Sequence, residues 1–596
     1  YPQLSLYDVM EVGELELKNL AGTRSISYEE QHYLSYLMLA LRKMNRPVTL
    51  PSGEYSAVNY FIHTYYMPAQ YFLYFRSLVG EKEFGMFMKS FWQKWKFKHP
   101  QTEDFYQHLK QHFPEHAQWF INEMLTTDKR ADYSIKKVKH KGDSVEVMIK
   151  NKASLAAPFK LRVKKQNQDT VDVLVDGFSG RKTVAINVSD VAMIKIDPDE
   201  KLPELKRDNN EYHMDKVFPK ANKTGLKWIY HVPEPGRKFL FWTPVLGYNC
   251  SDNVMPGLLV YNDPVFSMPV HFRMSALYST GNNTAVGEGR MTYHKYSDSR
   301  NFTGWKFSTY LKRYSFYELR DDRLMFNLVT PELAFYFRGA KSSGFEKRFH
   351  KTGIKLHMLQ EEYLGMKDWE LKKQKRNSFV LETWYNFSEK MVYGSREFDL
   401  SLEYAYENLK ISSEYNYSYI YNAKGKSLDI RLFGGAFLAT GSKGPLDMRF
   451  RLSSWSGRHD YLYENTMLYR GSAGGAKVFD YHMTVNDGGF KSLGAVGQSW
   501  EYLYSANLHF DLPFSIPIGI FGSLGSFGHP DKLALNYPRL FYEGGLSISI
   551  WEEHVRAYFT LLKSKELKDS SLFSFTLNFD MLNPFNLVNM LDPTYE

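Results

Sequence analysis

The stretch "HLKQH" sets His108 and His112 four residues apart, with His116 close behind. On a helix that interval turns both imidazoles to one side, where they could grip a metal. Metallopeptidases that use it also need a glutamate beside the first histidine as general base, and residue 109 is Leu. The pair reads as part of a solvated, histidine-rich helix. "EEHVRAY", around His554, has no second histidine at all. "RGSAGGAKVFDY", from Arg470, is rich enough in glycine to cradle a phosphate, but it has neither P-loop spacing nor an apolar helix behind it, so it reads as a flexible loop. No G-x-S-x-G elbow occurs, which removes serine hydrolysis by that route. "KKQKR", Lys372 to Arg376, reads as a solvated loop. The single cysteine, Cys250, excludes an intramolecular disulfide framework and a Cys-based zinc cluster.

The histidine stretch falls in a helical region, residues 1–128. Ser27 and Glu30 have capping-box spacing ahead of "YEEQHYLSYLMLALRKMNRP", where Leu34, Leu37, Met38 and Leu41 recur at helical intervals until Pro47. A second helix is predicted from Pro68 to Gly80, and a third in "EKEFGMFMKSFWQKWKF", with Phe84, Phe87, Met88, Phe91 and Trp95 on one face. "TEDFYQHLKQHF" and "HAQWFINEML" add two shorter ones. Over 129–210 the period falls to two, and "DSVEVMIKN", "FKLRVKKQ", "TVDVLVDG", "KTVAINVS" and "AMIKIDPD" predict a small β-sandwich. Residues 211–234 read as a polar linker.

From 235 to 596 strict alternation is the rule. "PVHFRMSALY" sets Val270, Phe272, Met274 and Ala276 against His271, Arg273 and Ser275; "FDLSLEYAYE", "PLDMRFRLSS" and "SFTLNFD" repeat the pattern. A soluble sandwich and a membrane barrel both alternate, so size and number decide. About twelve strands of ten or more residues, with almost no helix, would need a very large shared core in water, whereas a closed barrel places the apolar faces in lipid and the charged faces in its lumen. No apolar run approaches the roughly 18–20 residues of a spanning helix, so any crossing is made by strands. Aromatic residues make up 16% of the chain. In "SSEYNYSYIYN" Tyr415, Tyr417, Tyr419 and Tyr421 recur at every second residue, with Glu414, Asn416 and Ser418 interleaved, as girdle tyrosines do at the edges of a barrel's apolar band. Glycines 434, 435, 519, 522 and 525 indicate bends or close packing inside strands. The net charge of +9 would suit nucleic acid, but the lysines are interleaved with apolar strand residues, which argues against it. The fold class is thus multidomain: helical region, small β-sandwich, antiparallel transmembrane β-barrel.

The stretch "YFIHTYYMPAQYFLYFRSLVGEKEFGMFMKSFWQKWKFKHPQTEDFYQHLKQHF" resembles the aminopeptidase N-like zinc metallopeptidases of Bacteroidetes type. In these a tyrosine introduces a helix ending in Gly-x-x-x-Phe, followed by an aromatic amphipathic helix, a "kHP…eDF" element and a short Trp-Phe helix. The resemblance covers about residues 1–210 and includes the order of helices and sandwich. It implies that the helical region is the remnant of a peptidase catalytic domain and that Tyr65 is the catalytic residue, donating to the oxyanion of a tetrahedral intermediate on a zinc-polarised peptide carbonyl. The family's zinc ligands, an H-E-x-x-H pair and a later Glu, do not occur in this sequence, nor does its G-x-M-E-N motif. The resemblance places them before Tyr1.

Three functions follow as expectations. The first is the C-terminal portion of a zinc aminopeptidase anchored in the bacterial outer membrane, acting on peptides, with its soluble domains in the periplasm if the strand number is even. This chain alone would be inactive, lacking the zinc site. The second is a non-catalytic outer-membrane barrel whose helical and sandwich parts dock a peptide or protein partner. A soluble β-rich adhesin or carbohydrate module is a third, distinguished by whether the apolar faces meet lipid or protein.

Overall fold

A computed structural model describes residues 27–577, apart from 56–59, 215–222, 232–236, 263–265, 267, 300, 320–321, 340–346, 368–369, 443, 471–477, 515, 529–538 and 551–553. The chain divides into two compact units, Tyr1–Phe241 with Val265–Ser267, and Trp242–Pro264 with Met268–Glu596.

The first unit opens with helices where the sequence signals them. α1 (Tyr28–Ala40) is capped by Ser27, whose hydroxyl accepts from the Glu30 amide while the Glu30 carboxylate accepts from the Ser27 amide. α2 (Met67–Val79) carries Pro68 in its first turn and stops at Gly80, whose φ of +95° suits a residue without Cβ. α3 (Glu81–Trp95) and α4 (Thr102–His112) follow. The predicted apolar face of α3 is buried at Phe87, but Met88 stays exposed. His108 departs from expectation. It is buried, packed on Phe87 and Phe91, with Nε2 2.8 Å from the Ser90 hydroxyl that also lies 3.2 Å from His112 Nε2. His108 is thus a satisfied element of helix packing, while His112 stays exposed as the solvated reading expects.

All five predicted sandwich strands form, and Tyr133–Lys141 and Glu211–His213 join them, giving a three-stranded and a four-stranded antiparallel sheet. Val145, Val147 and Ile149 of one sheet share a core with Leu161, Val163 and Ile194 of the other. The fully buried Glu204 ties the helices to the sheets: one carboxylate oxygen accepts from the Tyr133 amide at 2.7 Å, the other from the Asn210 side chain, and the Glu204 carbonyl accepts from the Tyr33 hydroxyl of α1. Burial pushes its carboxyl up to about 8.

The second unit is built on a closed barrel whose strands pair antiparallel from Asn253–Tyr261 to Phe573–Leu577. Fifteen of its strands among the described residues, Asn253–Tyr261 to Phe573–Leu577, belong to the second unit, and Lys223–Trp228 and Arg237–Asn249 bring the barrel to seventeen. The estimate of about twelve was too low. The polar linker at 211–234 likewise contains two strands, Glu211–His213 of the sandwich and Lys223–Trp228 of the barrel. "KKQKR" is not a loop: it lies in the 22-residue strand Glu370–Met391, which pairs along its length with the 21-residue Lys347–Lys367. These strands are about twice as long as the 9–11 residues that cross a bilayer, so the charged run sits where the hairpin outreaches the apolar band.

Candidate functional site

Along Val270–Ser279 the apolar Met274 is 54% exposed and its charged neighbour Arg273 only 4%. Ile518–Phe527 repeats this, with Leu524 49% exposed and Ser523 2%. In water a sheet buries its apolar face; here the exposed face is the apolar one and the polar face is inside. The tyrosine strand behaves accordingly. Tyr419 is exposed, whereas in the alternate row Glu414 pairs with Arg431, Asn416 donates to Glu414 at 2.8 Å and Ser418 donates to Asp429 at 2.6 Å. Tyr278, Tyr404, Tyr504 and Tyr542 are outward as well.

What the polar face meets is not open water. Strands Ser427–Ala439 and Tyr502–Asp511 pair directly with each other, so the roughly sixty residues between them leave and re-enter the wall at one place. Most of the described part of that segment is buried, with one two-residue ladder, Phe450–Arg451 against Gln498–Ser499. "PLDMRFRLSS" therefore is not a wall strand. Met448, Phe450 and Leu452 are buried, and so are Arg451 and Ser453, because both sides of an extended chain inside a lumen are covered. Within the segment, the Asp487 carboxylate accepts from the Arg451 amide at 3.1 Å and the Trp455 indole at 2.9 Å, and Asp460 pairs with Arg470 at 3.1 Å. Of the glycine-rich stretch that follows Arg470, residues 471–477 lie outside the described residues.

The inserted segment is seated by wall residues from several strands. Tyr463 stacks on Phe326 at 3.9 Å between ring centroids and donates its hydroxyl to Glu361 at 2.6 Å. Tyr461 donates to Glu403 and accepts from the Lys410 ammonium at 3.1 Å. Lys312 donates to the carbonyls of Tyr463 and Glu464, each at 3.0 Å. Deeper in the sequence, Glu543 accepts from the amides of Lys491 and Ser492 at 2.5 and 3.0 Å and from the Ser492 hydroxyl at 2.6 Å. Apolar contacts complete the seat, with Phe450, Leu452 and Phe490 packing on Phe433, Leu503, Phe527 and Phe541 of the wall. Two of the glycines singled out by sequence lie here. A Cβ on Gly435 would meet Phe450 Cε1 at 2.4 Å and one on Gly525 would meet Leu452 Cδ1 at 2.7 Å. They are absences of side chain that admit the inserted chain.

Among the described residues one group has metal-ligating atoms close together: His357, Glu382 and Glu464. His357 Nε2 is 2.9 Å from Glu382, and the Lys355 ammonium lies 3.3 Å from Glu382 and 3.1 Å from Glu464. The lysine stands where a cation would neutralise these carboxylates, so the group works as an ion-paired clasp between wall and inserted segment. Sequence spacing could not reveal it, because its members are 25 and 82 residues apart and on different elements.

Tyr65 lies in the π-helical turn Ile62–Tyr66, 59% exposed, its ring stacked on Phe61 at 6.4 Å. Its catalytic role rested on the peptidase resemblance alone.

No family model and no curated protein matches the chain. Solved structures do. A BamA from Haemophilus ducreyi lacking POTRA domains 1–3 is 11% identical with a TM-score of 0.33, the match covering 58% of this chain and 70% of that one. CdiB from Acinetobacter baumannii is 10% identical (TM-score 0.29; 57% and 62%), and CdiB from Escherichia coli 12% (TM-score 0.30; 58% and 65%). These are bacterial outer-membrane β-barrel proteins. The resemblance to aminopeptidase N-like peptidases is corrected: no family model and no curated protein matches the chain, and none of the matching structures named above is a peptidase, so the reading as hydrolase, with its zinc and its peptidase remnant, is withdrawn.

Proposed function

We propose that the chain is an integral protein of a bacterial outer membrane, a barrel shut by its own inserted segment, whose helical and sandwich unit is a non-catalytic docking module for a polypeptide partner. The inverted burial of the wall strands carries this reading: Met274 and Leu524 outward, Arg273 and Ser523 inward, is stable only where hydrocarbon replaces water outside. The seated segment makes the lumen a regulated space, since passage of anything sizeable requires it to leave Glu543, Glu361 and Glu403. Support for docking comes from the aromatic residues the first unit leaves in solvent, Phe61, Tyr65, Trp92 and Phe97. Monomeric surfaces rarely expose so many large rings unless something covers them.

The membrane reading is tested by extraction. The chain should need detergent to stay monodisperse and should migrate faster on a gel unheated than boiled; a monodisperse protein in plain buffer would refute it. Orientation is tested with protease added to intact cells, where a periplasmic unit stays uncut. A photocrosslinking residue at position 97 should capture a polypeptide in cells, and no adduct under any growth condition would remove the docking role.

A further inference from the structure

Between the inserted segment and the wall lies a cavity of about 500 Å³, within the size range of small-ligand sites. Its composition is unexpected for a barrel lumen. Met255, Leu259, Leu277 and Phe326 contribute from the wall, and Met467 and Leu468 from the inserted segment, all of them buried.

Four of the polar groups at its edge, Arg470, Lys312, Ser275 and Ser315, are already engaged. Arg470 donates to Asp460 Oδ2 at 3.1 Å and to the Asn465 carbonyl at 2.6 Å; Lys312 holds the Tyr463 and Glu464 carbonyls. Ser275 Oγ donates to the Glu288 carbonyl at 3.2 Å, and Ser315 Oγ accepts from the Asn282 amide at 3.1 Å. A polar ligand would find these four partners taken, and the aliphatic and aromatic side chains that make up much of the lining offer water none of the two to four partners that hold it. The chamber is built for hydrocarbon.

Its source is indicated by the rim. Val245 and Met255 point inward, but the lining also includes the exposed Leu246, Tyr248 and Val254 of the same hairpin, which belong to the outer face. At this hairpin the chamber is continuous with the surface that the membrane reading places in lipid. We infer that the cavity between the inserted segment and the Arg237–Tyr261 hairpin binds one acyl chain of a membrane phospholipid. The inference rests on the outer-membrane reading. The acyl chain would take the place of side-chain packing between Met467 and Leu277, so that occupancy stabilises the seated segment.

The test reconstitutes the full chain in nanodiscs of phosphatidylethanolamine and phosphatidylglycerol, containing phosphatidylethanolamine with a diazirine near the end of one acyl chain. After irradiation, labelled residues are mapped by mass spectrometry. Labels on Met255, Leu277 and Met467 are expected in addition to those on outward residues such as Met274. Filling the chamber by Leu277→Trp, or independently from the other side by Met467→Trp, should lower the internal labels by about tenfold or more while leaving Met274 labelled. Labels confined to outward residues, or internal labels unchanged in both filled variants, would overturn the proposal. Failure of the chain to enter nanodiscs would instead refute the membrane reading beneath it.

Discussion

Glu543 offers the sharpest way to unseat the inserted segment without touching the segment itself. It stands on the wall strand Phe541–Ile550, is buried, and accepts four hydrogen bonds, three from Lys491 and Ser492 and one from Ser523 at 3.2 Å. In Glu543→Ala the amides of residues 491 and 492 lose their acceptor inside the lumen, at about 1–3 kcal/mol for each donor left unsatisfied, and the charge assistance is lost as well. The Lys491 ammonium, also buried, then keeps the Gly489 carbonyl at 2.8 Å and the Tyr558 ring but loses the Glu543 carboxylate. Because these contacts act together, the sum is not additive, and roughly 3–5 kcal/mol is a reasonable total. That corresponds to an unseated population raised from about 10²-fold to a few times 10³-fold. Single-barrel recordings in planar bilayers read this directly: wild type should show rare large-conductance events and Glu543→Ala frequent or sustained ones. Glu543→Gln, which keeps an acceptor but not the charge, should fall between. If Glu543→Ala gives the wild-type open fraction while still folding to the fast-migrating form, the segment is not held here as described.

Gly435→Ala should unseat the segment by a different route, since its Cβ would come within 2.4 Å of the fully buried Phe450 ring; an overpacking penalty of about 1–3 kcal/mol is expected, and pairing it with Phe450→Leu should restore wild-type conductance. Met274→Arg places a charge on the lipid face and should destabilise the folded barrel by about 2–4 kcal/mol if that residue lies near the bilayer midplane, read from urea titrations of gel mobility, with Arg273→Met showing no such lipid dependence. The helical and sandwich unit should be pH-sensitive through Glu204. Its carboxyl has a folded value of about 8 against 4.5 in the unfolded chain, so between those values the folded chain retains a proton that the unfolded chain has lost. Stability from this group is complete below pH 4.5 and falls as pH rises to about 8; Glu204→Gln should flatten that slope in thermal melts, and an unchanged slope would exclude Glu204 as its source.

The sequence was most informative where one physical cause acts alone. Ser27 and Glu30 specified the start of α1 because a capping box is local, and Pro68 and Gly80 bracketed α2 for the same reason. The alternation of "PVHFRMSALY" specified a strand and its two faces. It could not say which face met the solvent, since period two is the same for a soluble sheet and a membrane wall; the exposures of Met274 and Arg273 decide that. The same ambiguity misled at "PLDMRFRLSS", where Leu446, Met448, Phe450 and Leu452 alternate as a wall strand would, yet the chain runs inside the barrel. Strand number was underestimated because hairpins such as Lys347–Lys367 with Glu370–Met391 carry charged ends that look like loops.

The inserted segment escaped notice because its seat is assembled from partners far apart in the chain. Tyr461 meets Glu403 and Tyr463 meets Glu361, across 58 and 102 residues. Nothing in the local composition of either partner distinguishes a lumen acid awaiting a tyrosine from one facing water. The glycines came closest to a signal. Gly435 and Gly525 interrupt otherwise good strands, and in a barrel wall a missing side chain has two possible uses: to bend the strand or to admit something against it. Phe450 against Gly435 and Leu452 against Gly525 show the second use. A wall that gives up side-chain packing at those points has a seat shaped to one particular chain, which is why the occluded state should dominate at rest and why its disruption should be all-or-none rather than graded.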